Sequence, residues 1–175
     1  MNQRLALHVL ASGSRGNAAV VEDTATGKGV LVDCGICKRD FFARCDEAGF
    51  DPANLEAVLI THDHTDHTKG LGVVLRGLAK LGIEPAVFAD DAVRAASKEI
   101  IVLEGACDLR AFSSGDALSL AGMQVHAFRT SHDAASSCGF RVEADGDAVG
   151  FMTDTGIVTG EADEALRDVR IQIGR

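Results

Sequence analysis

The segment running from Leu59 through Thr61, His62, Asp63, His64, Thr65, Asp66 and His67 to Gly70 places three of the chain's six histidines within six residues. It directly follows an apolar run. Residues two apart share a face at a strand end, so His62 and His64 turn the same way. Asp66 and His67, entering the next helix, point at a neighbouring spot. Imidazole nitrogens suit one borderline metal ion, and a mixed carboxylate and imidazole set suits a second. Two such ions about 3.5–4 Å apart would share a hydroxide and clamp a substrate oxygen. The plain alternative is a solvated, His-rich loop. Ligand types spaced this way after an apolar strand speak against it.

A second chemical candidate is Cys34-Gly35-Ile36-Cys37, between a strand (Val30–Asp33) and a helix (Arg39–Glu47). A helix N-terminus there would lower a thiol pKa, as in thiol redox enzymes. However, only Pro52 and Pro85 are present, no βαβ array surrounds the pair, and a zinc ribbon would need a second C-x-x-C. Five scattered cysteines do not form a secreted disulfide framework. Idle, reduced thiols and a cytoplasmic location are the expectation. His8 and His126 lie within strand patterns and read as structural.

These residues need elements to position them. Leu5–Leu10, Ala18–Glu22 and Gly29–Asp33 alternate as strands, with a turn from Ser12 to Asn17 between the first two. Arg39–Ala48 reads as a helix stopped by Gly49. Leu55–Thr61 is a continuous apolar strand, buried on both faces. A helix over about Leu71–Leu81 follows, then a strand at Ala86–Phe88 and a helix capped by Asp90 and running through Lys98. Strands then dominate: Leu109–Phe112, Ala117–Leu120, Met123–Thr130, Gly139–Ala144 and Ala148–Thr153. Asp145-Gly146 marks a hairpin between the last two, and Glu161–Asp168 forms a final helix. This mixture of hairpins and crossovers predicts a single α/β layered domain with mixed sheets.

With 175 residues, 46% of them hydrophobic, the chain suits one compact domain. No apolar run is long enough to span a membrane, and Leu5–Ala11, interrupted by His8, is too short for a secretory signal. The net charge of −9 has the wrong sign for a passive nucleic-acid binder. It does not exclude a nuclease, because bound divalent cations supply local positive charge. With no Trp or Tyr, base stacking would fall to the eight Phe residues.

The sequence resembles the metallo-β-lactamase superfamily, whose H-x-H-x-D-H signature His62, His64, Asp66 and His67 match. Asp33 followed by Gly35 looks like the family's D-x-G, a support for the metal loop. The resemblance implies an αββα sandwich of mixed sheets and two divalent ions, zinc or manganese. One ion would be held by His62, His64 and His132, and the other by Asp66, His67 and Asp154, with Asp154 bridging. The Ser12–Asn17 turn, the Ser131-His132-Asp133-Ala134 step and Thr153-Asp154-Thr155-Gly156 resemble the YycJ-like branch, which is associated with 5′-to-3′ DNA exonucleases. In that branch's terms Ser12, Ser14, Arg15 and Asn17 would bind substrate, Arg15 and exposed backbone N–H groups holding a phosphate. The turn's plain alternative is an ordinary hairpin loop.

The resemblance implies a metal-bridged hydroxide attacking the phosphorus of a phosphodiester, DNA in the YycJ-like branch, with Asp66 as a ligand that orients the attacking water. The family also supplies a last histidine after the bridging Asp. Here 21 residues follow Asp154 and none is His. The expectation is therefore an incomplete second half, an exposed sheet edge through which copies of the chain would associate, and weakened activity. Two rivals remain open: a carbonyl-ester hydrolase (thioesterase, lactonase or β-lactamase type) using the same ions, and a metal-binding or interaction fragment without turnover.

Overall fold

The computed structural model describes residues 3–174. Two sheets lie face to face. The first has six strands in chain order: β1 (Leu5–Ala11), β2 (Ala18–Asp23), β3 (Lys28–Val32), β4 (Leu55–Leu59), β5 (Ala86–Asp90) and β6 (Leu109–Phe112). The β1–β2 and β2–β3 pairs are antiparallel, and β3 to β6 run parallel. The second sheet contains β7 (Ala117–Leu120), β8 (Met123–Arg129), β9 (Cys138–Ala144), β10 (Asp147–Met152) and β11 (Ile171–Gly174), in the order β11-β10-β9-β8-β7. Only the β10–β11 pair in it is parallel.

The two-residue side-chain period of a strand divides the first sheet's apolar residues between two cores. Val20, Leu31, Val58 and Ile60 face helices α1 (Lys38–Ala48), α3 (Leu71–Ala79), α4 (Asp91–Ala96) and α5 (Lys98–Ile101). Val21, Val30, Val32 and Leu59 face the second sheet and meet Met123, Val125, Phe140 and Val149. On that sheet's far side, α6 (Gly160–Ala165) covers Phe128 and Met152 with Ala162. The layers are therefore α, β, β, α, as the resemblance implies.

Most predicted elements are present, and their stop signals act as expected. Gly49 adopts φ 77° and closes α1 with bonds to Asp46 O and Cys45 O. Asp145 and Gly146 both take positive φ, joining β9 to β10 in a two-residue turn. The Asp90 carboxylate accepts from Ala92 N–H, as a cap should. Three differences stand out. The helix after Asp90 breaks at Ser97, which has extended backbone and starts α5; serine favours helix starts over interiors. A four-residue helix, α2 (Thr65–Thr68), carries Asp66 and His67. After α6 the chain adds β11 beside β10, a strand the sequence pattern does not predict.

A pair of ion pairs joins the sheets at β1. Asp147, almost fully buried, accepts from Leu5 N–H at 2.9 Å and pairs with Arg170 at 2.7 Å, while Arg170 also donates to Leu5 O. Arg4 pairs with buried Asp23 and, at 2.7 Å, with Asp145 of the β9–β10 turn. No helix among the described residues is long and apolar enough to cross a membrane.

Candidate metal centre

Loops at strand ends from both sheets converge. From the first sheet come the turn after β1, the segment after β3 with Asp33, and the segment after β4 with Thr61 to Gly70. From the second come the β8–β9 connection, carrying His132, and the segment after β10, carrying Asp154.

The first-sheet loops are braided backbone to backbone. Asn17 N–H donates to Asp66 O, Gly35 N–H to Asn17 O, Cys34 N–H to His67 O, and Gly70 N–H to Cys34 O, all within 2.8–2.9 Å. Such contacts leave no room for side chains. A Cβ on Gly35 would lie 1.6 Å from Asp66 O, and one on Gly70 would lie 1.7 Å from Ile36 O. The loops of the second sheet are tied in as well. Ala135 N–H donates to the Asp63 carboxylate at 2.9 Å, His62 bridges Ser137, and Gly156 N–H donates to Ser131 O at 2.8 Å.

This braid brings His62, His64 and His132 together, with one ligand atom from each lying within 4.8 Å of the others; His62, His67 and Asp154 meet the same condition. Asp154 Oδ2 lies 2.8 Å and Asp66 Oδ2 3.6 Å from His67 Nε2, and His132 Nε2 lies 3.1 Å from His64 Nδ1. Asp33 and Asp154 both adopt left-handed backbone, φ 60° and 53°. Asp is among the residues that tolerate that region, and the tight loops hold both there.

The hydrogen bonds fix which nitrogens are bare. Asp33 accepts from Thr61 N–H at 2.9 Å, from Thr61 Oγ1–H at 2.8 Å and from His67 Nδ1–H at 2.7 Å. Because the Thr61 hydroxyl donates to Asp33, it accepts from His62 Nδ1–H, 2.9 Å away. Both imidazoles therefore carry a proton on Nδ1 and aim Nε2 inward, bare in His62 and set against the Asp154 carboxylate in His67. His62 is fully buried and its Nε2 has no hydrogen-bond partner. An orphaned buried acceptor is costly unless a ligand takes its lone pair.

The field at the site is divided. Burial, together with the neighbouring histidines His67, His132 and His64, pushes His62 down to about 4 against the pull of Asp33, so it stays neutral. Burial would also lower His67, but the bond to Asp33 and the charges of Asp33, Asp66 and Asp154 win and raise it. Those carboxylates favour a positive charge at His67 Nε2, which a proton or a metal ion would provide. A neutral His62 with an orphaned nitrogen, three further imidazoles and acceptor-only carboxylates fit the divalent metals that the resemblance implies.

Among the residues assigned to substrate, Ser12, Ser14 and Arg15 lie on the rim, where Lys69 Nζ donates to Arg15 O at 2.7 Å. Asn17 is different. It is buried, and its side-chain amide contacts Gly13 O at 3.1 Å, Asp66 Oδ2 at 3.2 Å and His67 Nε2 at 3.1 Å. Its amide is engaged with the site-facing atoms of the Asp66–His67 loop instead of lying exposed with the other three. The N–H groups of Gly13, Gly16 and Asn17 are also bonded within the loops, so much of the turn's backbone is not free for a phosphate. Sequence reading missed Thr61 and Asp63; their one signal is that each directly neighbours a histidine of the motif.

The cysteine pair has no redox geometry. Cys34 is buried, and burial with Asp33 nearby raises its thiol pKa, whereas Cys37 is exposed; both are free. His8 pairs with Glu22 at 2.7 Å and His126 with Glu143 at 3.5 Å, so both have structural partners.

The beta-lactamase superfamily domain family matches residues 28–173. The chain is 32% identical over 154 residues to exodeoxyribonuclease WalJ of Streptococcus pneumoniae, covering 86% of this chain and 54% of that protein. It is 32% identical over 151 residues to exodeoxyribonuclease YycJ of Bacillus anthracis, with the same coverage of both chains. It thus spans about half the length of the curated relatives it matches. Zinc-bound PqqB from Methylobacterium extorquens superposes with a TM-score of 0.70 at 14% identity, over 92% of this chain and 62% of that one. The motif residues, the two packed mixed sheets and the matched span agree: this chain belongs to the beta-lactamase superfamily, with the metallo-β-lactamase fold.

Proposed function

We propose that the chain is a metal-dependent phosphodiesterase acting on DNA as an exonuclease, with two divalent ions, zinc or manganese. The observation that carries the metal reading is the orphaned, fully buried Nε2 of His62 at the junction of the two ligand sets. Support for the substrate comes from the similarity to the exodeoxyribonucleases WalJ and YycJ; support for zinc comes from the zinc bound to PqqB, which shares the fold.

His62, His64 and His132 would hold one ion, and His67, Asp154 and Asp66 the other. Bound there, such ions supply an activated water and charge neutralisation on the phosphoryl oxygens. The chain's own residues do the positioning. Asp33 keeps the proton on His67 Nδ1, and Thr61 keeps it on His62 Nδ1. Asp66, held by the Asn17 amide, presents its carboxylate to orient the attacking water. Arg15, with Ser12 and Ser14, offers donors at the rim for a phosphate oxygen. The free cysteines are consistent with a reducing, cytoplasmic setting.

The test is hydrolysis by the zinc- or manganese-loaded chain of a DNA duplex, a thioester and a β-lactam in parallel. Cleavage of DNA is expected, with loss of about a hundredfold or more in His64→Ala and Asp154→Ala. Hydrolysis of the thioester or lactam alone would overturn the substrate assignment, and wild-type rates in both variants would overturn the site.

A further inference from the structure

The chain is strongly acidic, yet one groove on it is lined by four cations and no acid. It lies between α1 and α3, has a volume of about 600 Å³, and is walled by Lys38 and Arg39 on one side and Arg76 and Lys80 on the other. All four are exposed. Arg39 has a partner in Asp40 at 3.2 Å; Lys38, Arg76 and Lys80 have no ion pair or side-chain hydrogen bond among the described residues. In a protein of net charge −9, with 26 acidic side chains to choose from, three uncompensated cations in one groove are not an average solvated face.

The groove's shape follows from a glycine. Gly77 forms part of the α3 wall, and a Cβ there would lie 2.8 Å from Lys38 Cδ and 3.0 Å from Phe42 Cε2. Its absence lets the Lys38 stem lie against α3. The groove is also continuous with the metal-site loops. α1 starts two residues after Ile36, and α3 starts two residues after Lys69; these two loops are locked by the bond from Gly70 N–H to Cys34 O. On the same rim, Lys69 holds the Arg15 loop. Both walls of the groove thus continue in the chain from loops of the metal site.

Resting on the nuclease reading above, we propose that this groove is a track for the sugar–phosphate backbone of single-stranded DNA leading to or from the metal centre. Helices packed about 8–10 Å apart axis to axis leave a channel too narrow for a duplex. The lining has no aromatic side chain to stack a base and no amide or carboxylate side chain to read one. Recognition there rests on phosphate charge, is independent of sequence and falls with salt. Val73 adds the one large apolar contact, suited to a sugar.

The test is fluorescence anisotropy of a labelled single strand of about twelve nucleotides, with chelator present so that binding is read without cleavage. Lys38→Gln/Arg76→Gln/Lys80→Gln is compared with Lys28→Gln/Lys98→Gln/Arg167→Gln, which removes the same charge from other faces. The groove variant is expected to bind about tenfold or more weakly, and its dependence of log affinity on log salt is expected to be shallower by about 2, at ~0.7 per lost contact. The off-groove variant should stay near wild type. Equal weakening in both variants, unchanged affinity in the groove variant, or equal binding of a poly-glutamate peptide would each overturn the track. Hydrolysis of bis(4-nitrophenyl) phosphate by the metal-loaded proteins separates the two proposals. Equal rates in wild type and groove variant leave the metal centre standing whatever the groove does, and no hydrolysis by either would sink the nuclease reading itself.

Discussion

The Asp33 carboxylate accepts a hydrogen bond from His67 Nδ1 at 2.7 Å, and this contact determines which imidazole nitrogen faces the site. The same carboxylate, through the Thr61 hydroxyl, sets the proton on His62. One acid that is not itself in either ligand set thus orients a histidine in each.

Asp33→Ala is therefore expected to lower metal affinity by about 10–100-fold, the range seen when a support behind a ligand is removed. Asp33→Asn should do better than Ala, because Asn accepts a bond and tolerates the left-handed backbone at φ 60°. Competition titration against a zinc chelator measures both. Wild-type affinity in the Ala variant would remove Asp33 from the site.

Thr61→Val keeps the volume but deletes the link from Asp33 to His62. Weakened metal binding is expected, together with mixed Nδ1 and Nε2 protonation of His62, visible in imidazole nitrogen chemical shifts. Thr61→Ser should restore both readings. A Ser variant as impaired as Val would mean that the methyl group, not the hydroxyl, matters.

The braided loops make glycine substitutions unequal. Gly35→Ala puts a Cβ 1.6 Å from Asp66 O, so a loop carrying ligands must move; a stability loss of about 3 kcal/mol or more and loss of metal binding are expected. Gly82→Ala, at φ 76° in open space, should cost only about 1 kcal/mol and leave metal binding intact. Thermal unfolding and metal counting on the two purified proteins distinguish the cases.

Metal binding should also stabilise the fold, because the bare nitrogens and the carboxylates are assembled only in the folded state. At metal concentrations about 100 times Kd the gain is about 2.7 kcal/mol. A scan of Tm with zinc and with chelator should show that rise, and His62→Ala should abolish it. An equal rise in His62→Ala would indicate binding elsewhere.

The clamp at β1 governs acid stability. The Arg170 hydrogen bond holds the Asp147 carboxyl below its ordinary 3.8, overcoming burial, and Arg4 does the same for Asp23. Because folding lowers these values, the stabilisation is present above about pH 4 and is lost as pH falls through the lower, folded values. Asp147→Asn should cost about 2 kcal/mol at pH 7 and flatten the decline below pH 4. Denaturant unfolding at pH 7 and pH 3 gives both numbers; an undiminished acid sensitivity would place the effect elsewhere.

The sequence alone determined the local features, because their causes are local. The apolar runs Val30–Val32 and Val58–Ile60 mark buried strands, Gly49 and Asp145-Gly146 end their elements, and the spacing of His62, His64, Asp66 and His67 marks the candidate metal loop. The tertiary structure decided what depends on contacts between distant segments. Only packing shows that Asn17 turns inward toward His67, 50 residues away, or that Asp33 reaches His67 across the braid. The free Nε2 of His62 likewise follows from a relay through Thr61 and Asp33, and the basic groove exists because α1 and α3 pack side by side. Even β11 depends on this, since four residues of modest strand character become a strand only because β10 offers them an open edge.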